Sequence, residues 1–146
     1  MATARDIMTK NPVICDVSDS VVDIARRMER ENIGAVIVCN PDERLQGMVT
    51  DRDLAILVIG KERDPANTTA GDLVDGREVV TIGADDDLTL AVRTMKESAV
   101  RRLPVIDGDR VIGIISQADL ALHADETMVG ELVEVISGAP DNTGRG

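Results

Sequence analysis

Two aspartates in this chain each follow a hydroxyl residue by three positions and directly precede Leu-Ala. The strings are Gly47-Met48-Val49-Thr50-Asp51-Arg52-Asp53-Leu54-Ala55 and Gly113-Ile114-Ile115-Ser116-Gln117-Ala118-Asp119-Leu120-Ala121. An apolar run followed by such a polar turn reads as a strand entering a helix. An ionised Asp at that junction accepts charge-assisted hydrogen bonds through both oxygens. A helix starting there also turns free N–H groups and the positive end of its dipole toward an anion. The same spacing describes a helix capping box, with Thr50 and Ser116 as N-caps and Asp53 and Asp119 in the first turn. Both roles are compatible in one residue.

The two strings close two copies of one template, residues 4–55 and 70–121, with equivalent positions 66 or 67 apart. Each copy opens with Ala-x-Asp-aliphatic: Ala4-Arg5-Asp6-Ile7 and Ala70-Gly71-Asp72-Leu73. In the first copy a turn of helix near residues 3–8 precedes a strand at Val13-Ile14-Cys15. Ser20 with Asp23 starts a helix whose apolar face is Val21, Ile24, Ala25 and Met28. Ala35–Cys39 and Leu45–Val49 are strands around an Asn40–Arg44 turn, and a helix spans 51–59. The second copy repeats this order. Val79–Ile82 is its first strand, and Leu88, Val92, Met95 and Ala99 mark its helix. Leu103–Ile106 and Val111–Ile115 form a hairpin over Asp107-Gly108, and a helix spans 117–124. The expected division is repeat one over 1–60, a linker over 61–69, repeat two over 70–124, and a C-terminal helix with disordered tail over 125–146. Val129, Leu132, Val133 and Ile136 form the stripe of that helix. The fold class is α/β: two tandem β-α-β-β-α repeats packed sheet against sheet with pseudo-two-fold symmetry, because one repeat is too small to bury its own faces.

Composition narrows the function. The chain of 146 residues is 43% hydrophobic yet holds no Phe, Tyr or Trp, so a bound base rests on aliphatic side chains. Single-strand nucleic-acid platforms need aromatic rings. A formal charge of −11 without a basic stripe speaks against nucleic acid and anionic membranes as partners. Cys15 and Cys39 lie in apolar runs and read as buried reduced thiols. His123 reads as a C-terminal helix cap, and no ligand spacing supports a metal site. No nucleophile–base pair is visible, so the chain reads as a non-enzyme. Without a secretory segment or an apolar run of membrane length, the expected location is the cytoplasm.

Taken together, the repeat spacing, Arg102-Leu103-Pro104-Val105-Ile106-Asp107 and the two Gly-x-x-(Thr/Ser)-x-x-Asp strings resemble a tandem pair of CBS domains, a Bateman module, over residues 4–123. Thr50-Asp51-Arg52-Asp53 in particular is similar to stand-alone bacterial two-CBS proteins. The resemblance implies two clefts for an adenosine-containing ligand: an adenine nucleotide, S-adenosylmethionine or a dinucleotide, with no covalent cofactor. Asp53 and Asp119 would hold ribose hydroxyls, with Thr50 and Ser116 beside sugar and phosphate and Met48 or Ile114 flooring the base. Val13 and Ile14 would complete the Ser116/Asp119 cleft, and Val79, Val80 and Thr81 the Thr50/Asp53 cleft. Arg102 would meet phosphate. Its counterparts in repeat one, with that of Arg101, are Gly34 and Ala35, so the Thr50/Asp53 cleft would bind weakly unless Arg52 or Lys61 compensates. The resemblance also implies a homodimer and a protein partner regulated in trans. A dimeric interaction scaffold with degenerate sites is the alternative.

Overall fold

The computed structural model describes residues 2–123 together with Gly130 and Val133. The expected tail helix and terminal segment otherwise lie outside the described residues. The chain is a mixed α/β fold with two sheets built from the tandem repeats.

Two compact units form, and neither coincides with a sequence repeat. One takes in residues 13–79; the other, among the described residues, takes in 2–12 and 80–123 with Gly130 and Val133. In the 13–79 unit a three-stranded sheet has the order β2 (Ile14–Asp16), β3 (Ala35–Cys39), β4 (Leu45–Thr50). The first pair is parallel and the second antiparallel. Helix α2 (Val21–Glu31) starts at Ser20, whose side chain accepts from Asp23 N–H at 3.2 Å. Its buried Val21, Ile24 and Met28 pack with Val36, Val38 and Val49 of the sheet. Burying each such side chain contributes roughly 1.5–3 kcal/mol.

The other unit holds the sheet β1 (Thr9–Lys10), β7 (Arg110–Ser116), β6 (Arg102–Asp107), β5 (Ile82–Gly83), in that order. Helix α5 (Leu88–Ser98) lays Leu88, Val92 and Met95 on its core. The β6–β7 hairpin turns at Asp107-Gly108, where Gly108 supplies φ +63°.

The opening segments are exchanged. Helix α1 (Ala4–Ile7) belongs with the second repeat's body, and α4 (Ala70–Val74) with the first's. The bonds match in both places: Arg5 N–H donates to Ala84 O at 2.9 Å, and Gly71 N–H donates to Val17 O at 2.8 Å. The glycines of the two strings explain the fit. A Cβ on Gly47 would meet Val74 Cγ1 at 3.0 Å, and one on Gly113 would collide with Met8. Met8 and Val74 are themselves equivalent positions, so each glycine makes room for the opening segment of the other repeat.

Three expectations need correction. The strand expected over Val79–Ile82 shrinks to Ile82–Gly83. Its partner strand explains this: in repeat one Ile37 N–H donates to Val13 O at 2.9 Å, whereas the equivalent of Ile37 is Pro104, which has no N–H. The ladder therefore stops at Ile82↔Val105. The helix expected over 51–59 is a short α3 (Asp51–Asp53) running into a π-helix, Leu54–Ile59. It closes with Gly60 N–H donating to Ala55 O at 2.8 Å, and a Cβ on Gly60 would meet Ile56 O at 2.8 Å. Ala99, expected on a helix face, instead caps α5 in the left-handed region.

Candidate functional site

Both aspartates sit where β-strand gives way to helix, and each closes a reciprocal cap. At the end of β4, Thr50 Oγ1 accepts from Asp53 N–H at 3.1 Å, and Asp53 Oδ2 accepts from Thr50 N–H at 2.9 Å. At the end of β7, Ser116 Oγ accepts from Asp119 N–H at 3.2 Å, and Asp119 Oδ2 accepts from Ser116 N–H at 2.8 Å and from its hydroxyl at 3.0 Å. The junctions are braced alike: Asp51 N–H donates to Gly34 O at 3.0 Å and Gln117 N–H to Arg101 O at 2.9 Å. The capping role is thus filled in both copies, through one oxygen of each carboxylate.

The second oxygen separates the sites. Asp53 is 9% exposed, and its carboxylate carries the guanidinium of Arg77: Nη2 lies 3.3 Å from Oδ1 and Nη1 3.5 Å from Oδ2. This fork satisfies a carboxylate that burial would otherwise penalise. Asp119 is half-buried, and its Oδ1 accepts no hydrogen bond among the described residues. Arg102, exposed at the start of β6, stands directly across from Ser116 in the hairpin register. Ala35 holds the corresponding place opposite Thr50. One site therefore has an open carboxylate oxygen with an arginine beside its hydroxyl residue, while the other has its carboxylate neutralised in place.

The remaining predicted residues divide by unit. Ile14, Ile37 and Met48 line up across β2, β3 and β4, in the unit that holds Thr50 and Asp53. Val13 precedes this row, and Val79 closes the same unit. Val80 and Thr81 begin the other unit, leading into β5 beside β6, where Pro104 pairs with Ile114.

Arg77 is the residue that sequence reasoning missed. It stands in an irregular segment 24 positions from Asp53, and nothing in its local sequence announces that contact. The thiols of Cys15 and Cys39 are buried and free. Residues paired across β2 and β3 face one way, so Cys15, opposite Val38, and Cys39, opposite Asp16, lie on opposite faces of the sheet. Burial pushes both thiols above their ordinary pKa. His123 Nδ1 lies 3.0 Å from Asp119 O, one helical turn back, as a C-terminal cap would. Among the described residues no group of three or more His, Cys, Asp or Glu is placed to hold a metal ion. No described helix is long and apolar enough to cross a membrane.

Known proteins resemble this chain in sequence and fold. The family model for the CBS domain matches residues 4–60 and 70–136. Hypoxic response protein 1 of Mycobacterium tuberculosis is 35% identical over 136 residues, which span 93% of this chain and 94% of that protein. The crystal structure of Hypoxic Response Protein I, which has two coordinated zinc ions, matches with a TM-score of 0.77 at 36% identity, over 85% of this chain and 100% of that one. The CBS domain pair of protein MJ0100, solved in complex with 5′-methylthioadenosine and S-adenosyl-L-methionine, matches in fold with a TM-score of 0.71 at 21% identity, over 84% and 95% of the two chains. A duplicated template, two matching strand-to-helix aspartates and a family match across both repeats lead to one conclusion: this chain belongs to the CBS domain family, as a tandem pair.

Proposed function

We propose that this protein is a regulatory module that binds an adenosine-containing ligand, with Ser116, Asp119 and Arg102 forming the principal site. The observation that carries the reading is the open Oδ1 of Asp119, set beside Ser116 and across from an exposed Arg102. A ribose diol donates to a carboxylate, and a guanidinium meets a phosphate in a fork. Ile114 supplies the aliphatic floor. Because first strand and hairpin are hydrogen-bonded within one unit, we assign Val80 and Thr81 to the Asp119 site. On the same ground we group Val13, Ile14 and Val79 with Thr50 and Asp53, whereas the family resemblance implies a crosswise pairing. The ligand class also draws support from the MJ0100 pair, which holds two adenosine derivatives.

Ligand binding would act by favouring one arrangement of the module over another, and a protein partner in trans would read the change. CBS domain proteins are generally regulatory, and we propose no reaction for this chain. A homodimer is the assembly we infer. An apolar groove of about 260 Å³ supports it, lined by Val21, Val22 and Ala25 of α2 with Leu54, Val58 and Ile59 of the π-helix. Ile59 is 71% exposed there.

Calorimetric titration with AMP tests the ligand reading. Wild type is expected to bind, and Asp119→Ala and Arg102→Ala each to weaken binding at the principal site by at least about tenfold. Wild-type titrations that stay flat with AMP, ATP and S-adenosylmethionine would leave the scaffold reading in possession.

A further inference from the structure

We infer that Arg77 gates the Thr50/Asp53 site and makes it select phosphorylated adenosine ligands over neutral ones. The inference rests on the ligand class proposed above and goes beyond it, because it gives the two sites different selectivity.

The guanidinium of Arg77 lies on the acceptor that a ribose would need. It contacts both oxygens of Asp53, at 3.3 and 3.5 Å. Charge-assisted N–H···O bonds typically measure about 2.7–2.9 Å, so this fork is a loose one. The equivalent carboxylate, Asp119, has no cation within salt-bridge distance among the described residues, so the contact is not part of the repeated template. The repeat-one equivalent of Arg77 is Asn11, which has neither the reach nor the charge.

Arg77 also has room and a pivot. It leaves the end of α4 with its N–H donating to Val74 O at 3.1 Å, directly after Gly76 at φ +75°. A Cβ on Gly76 would meet nothing within 4 Å, so the segment is open on that side. Arg77 lines a polar groove of about 340 Å³ with Leu45, Gln46, Asp72, Asp75 and Val79. Its guanidinium rests on Asp53, and the side chain as a whole is 29% exposed.

A ribose competes with the guanidinium for Asp53. If the ligand carries a phosphate, the displaced guanidinium gains a new anion. If the ligand is neutral, the cation loses Asp53 and the ligand offers no anion in exchange. A ligand with a sulfonium adds repulsion. The gate therefore admits anionic nucleotides and holds back nucleosides.

The test uses the full chain with Asp119→Ala in place, which weakens the principal site so that the Asp53 site dominates the titration. AMP and adenosine are titrated into Asp119→Ala and into the same chain with Arg77→Ala or Arg77→Gln, with far-UV circular dichroism confirming the fold of each. Asp119→Ala alone is expected to prefer AMP over adenosine by at least about tenfold. Both Arg77 variants should bring the ratio close to one, with adenosine binding tighter than before. Adenosine binding that appears only after Arg77 is removed also supports the gate. An unchanged ratio in folded Arg77 variants overturns the gate and leaves ligand binding standing. If no Asp119→Ala chain binds either probe while the wild type does, the gate falls and the principal site survives. If the wild type and all variants stay silent, both readings fall.

Discussion

Four aspartates do the same backbone job, and only their surroundings give them different futures. Asp6, Asp53, Asp72 and Asp119 each accept from the backbone N–H of a Thr or Ser three positions earlier. The Ser/Thr-x-x-Asp spacing was legible in the sequence for the last member of each repeat. What it could not reveal was the second oxygen, because Arg77 reaches Asp53 only after the chain has folded. For Asp72 the consequence is a pH dependence. The backbone and hydroxyl of Thr69 hold its carboxyl below the ordinary value of 3.8. A carboxyl whose folded pKa is depressed stabilises the fold above its unfolded pKa, and that contribution vanishes as pH falls through the folded value. Thermal melts by circular dichroism from about pH 6 to about pH 2.5 should show wild type losing stability below the ordinary carboxylate range. Asp72→Asn should lose less over the same interval; an identical loss would remove Asp72 as a cause.

Helix ends show where local chemistry and imposed geometry disagree. Helices α2 and α5 stop at equivalent positions in the same left-handed conformation, with Asn32 at φ 52° and Ala99 at φ 53°. Asn tolerates that region through its short polar side chain, while Ala places a Cβ against the carbonyl. The apolar period in the sequence counted Ala99 as one more position on the buried face, since period alone does not mark where a helix ends. The duplicated template therefore keeps Ala99 in a conformation its own side chain disfavours. Ala99→Gly is expected to stabilise the protein by roughly 0.5–1 kcal/mol. The melting temperature should rise by about 2–4 °C. A fall on far-UV melting would mean that packing of the Ala99 methyl outweighs the strain. Pro104 is the converse case: its missing N–H was visible in the sequence, yet its effect on the strand over 79–82 depends on which residue it faces.

At the scale of the molecule, duplication was the most legible property, because periodic equivalence is a statement about sequence alone. Packing partners were less so. Equivalence says that Met8 corresponds to Val74 and Gly47 to Gly113, but not that each glycine receives the opening segment of the other copy. That exchange is a choice between two pairings with nearly the same residues, and only three-dimensional fit decides it. Charge is the other whole-molecule property, and it carries a prediction. The ion pairs among the described residues involve at least one well-exposed side chain, apart from Arg77 with Asp53 and the half-exposed Arg27 with Glu31. Such surface pairs contribute about 0–1 kcal/mol each. Against them stands a formal charge of −11, whose self-repulsion opposes the compact state. Salt screens both, but the excess charge of one sign is the larger quantity. Raising NaCl from about 20 to about 500 mM should therefore raise the melting temperature by roughly 2–5 °C. The melt must be followed by circular dichroism, since a chain with no Phe, Tyr or Trp has no aromatic fluorescence to follow. A melting temperature that falls with salt would show that the ion pairs outweigh the repulsion among the acids.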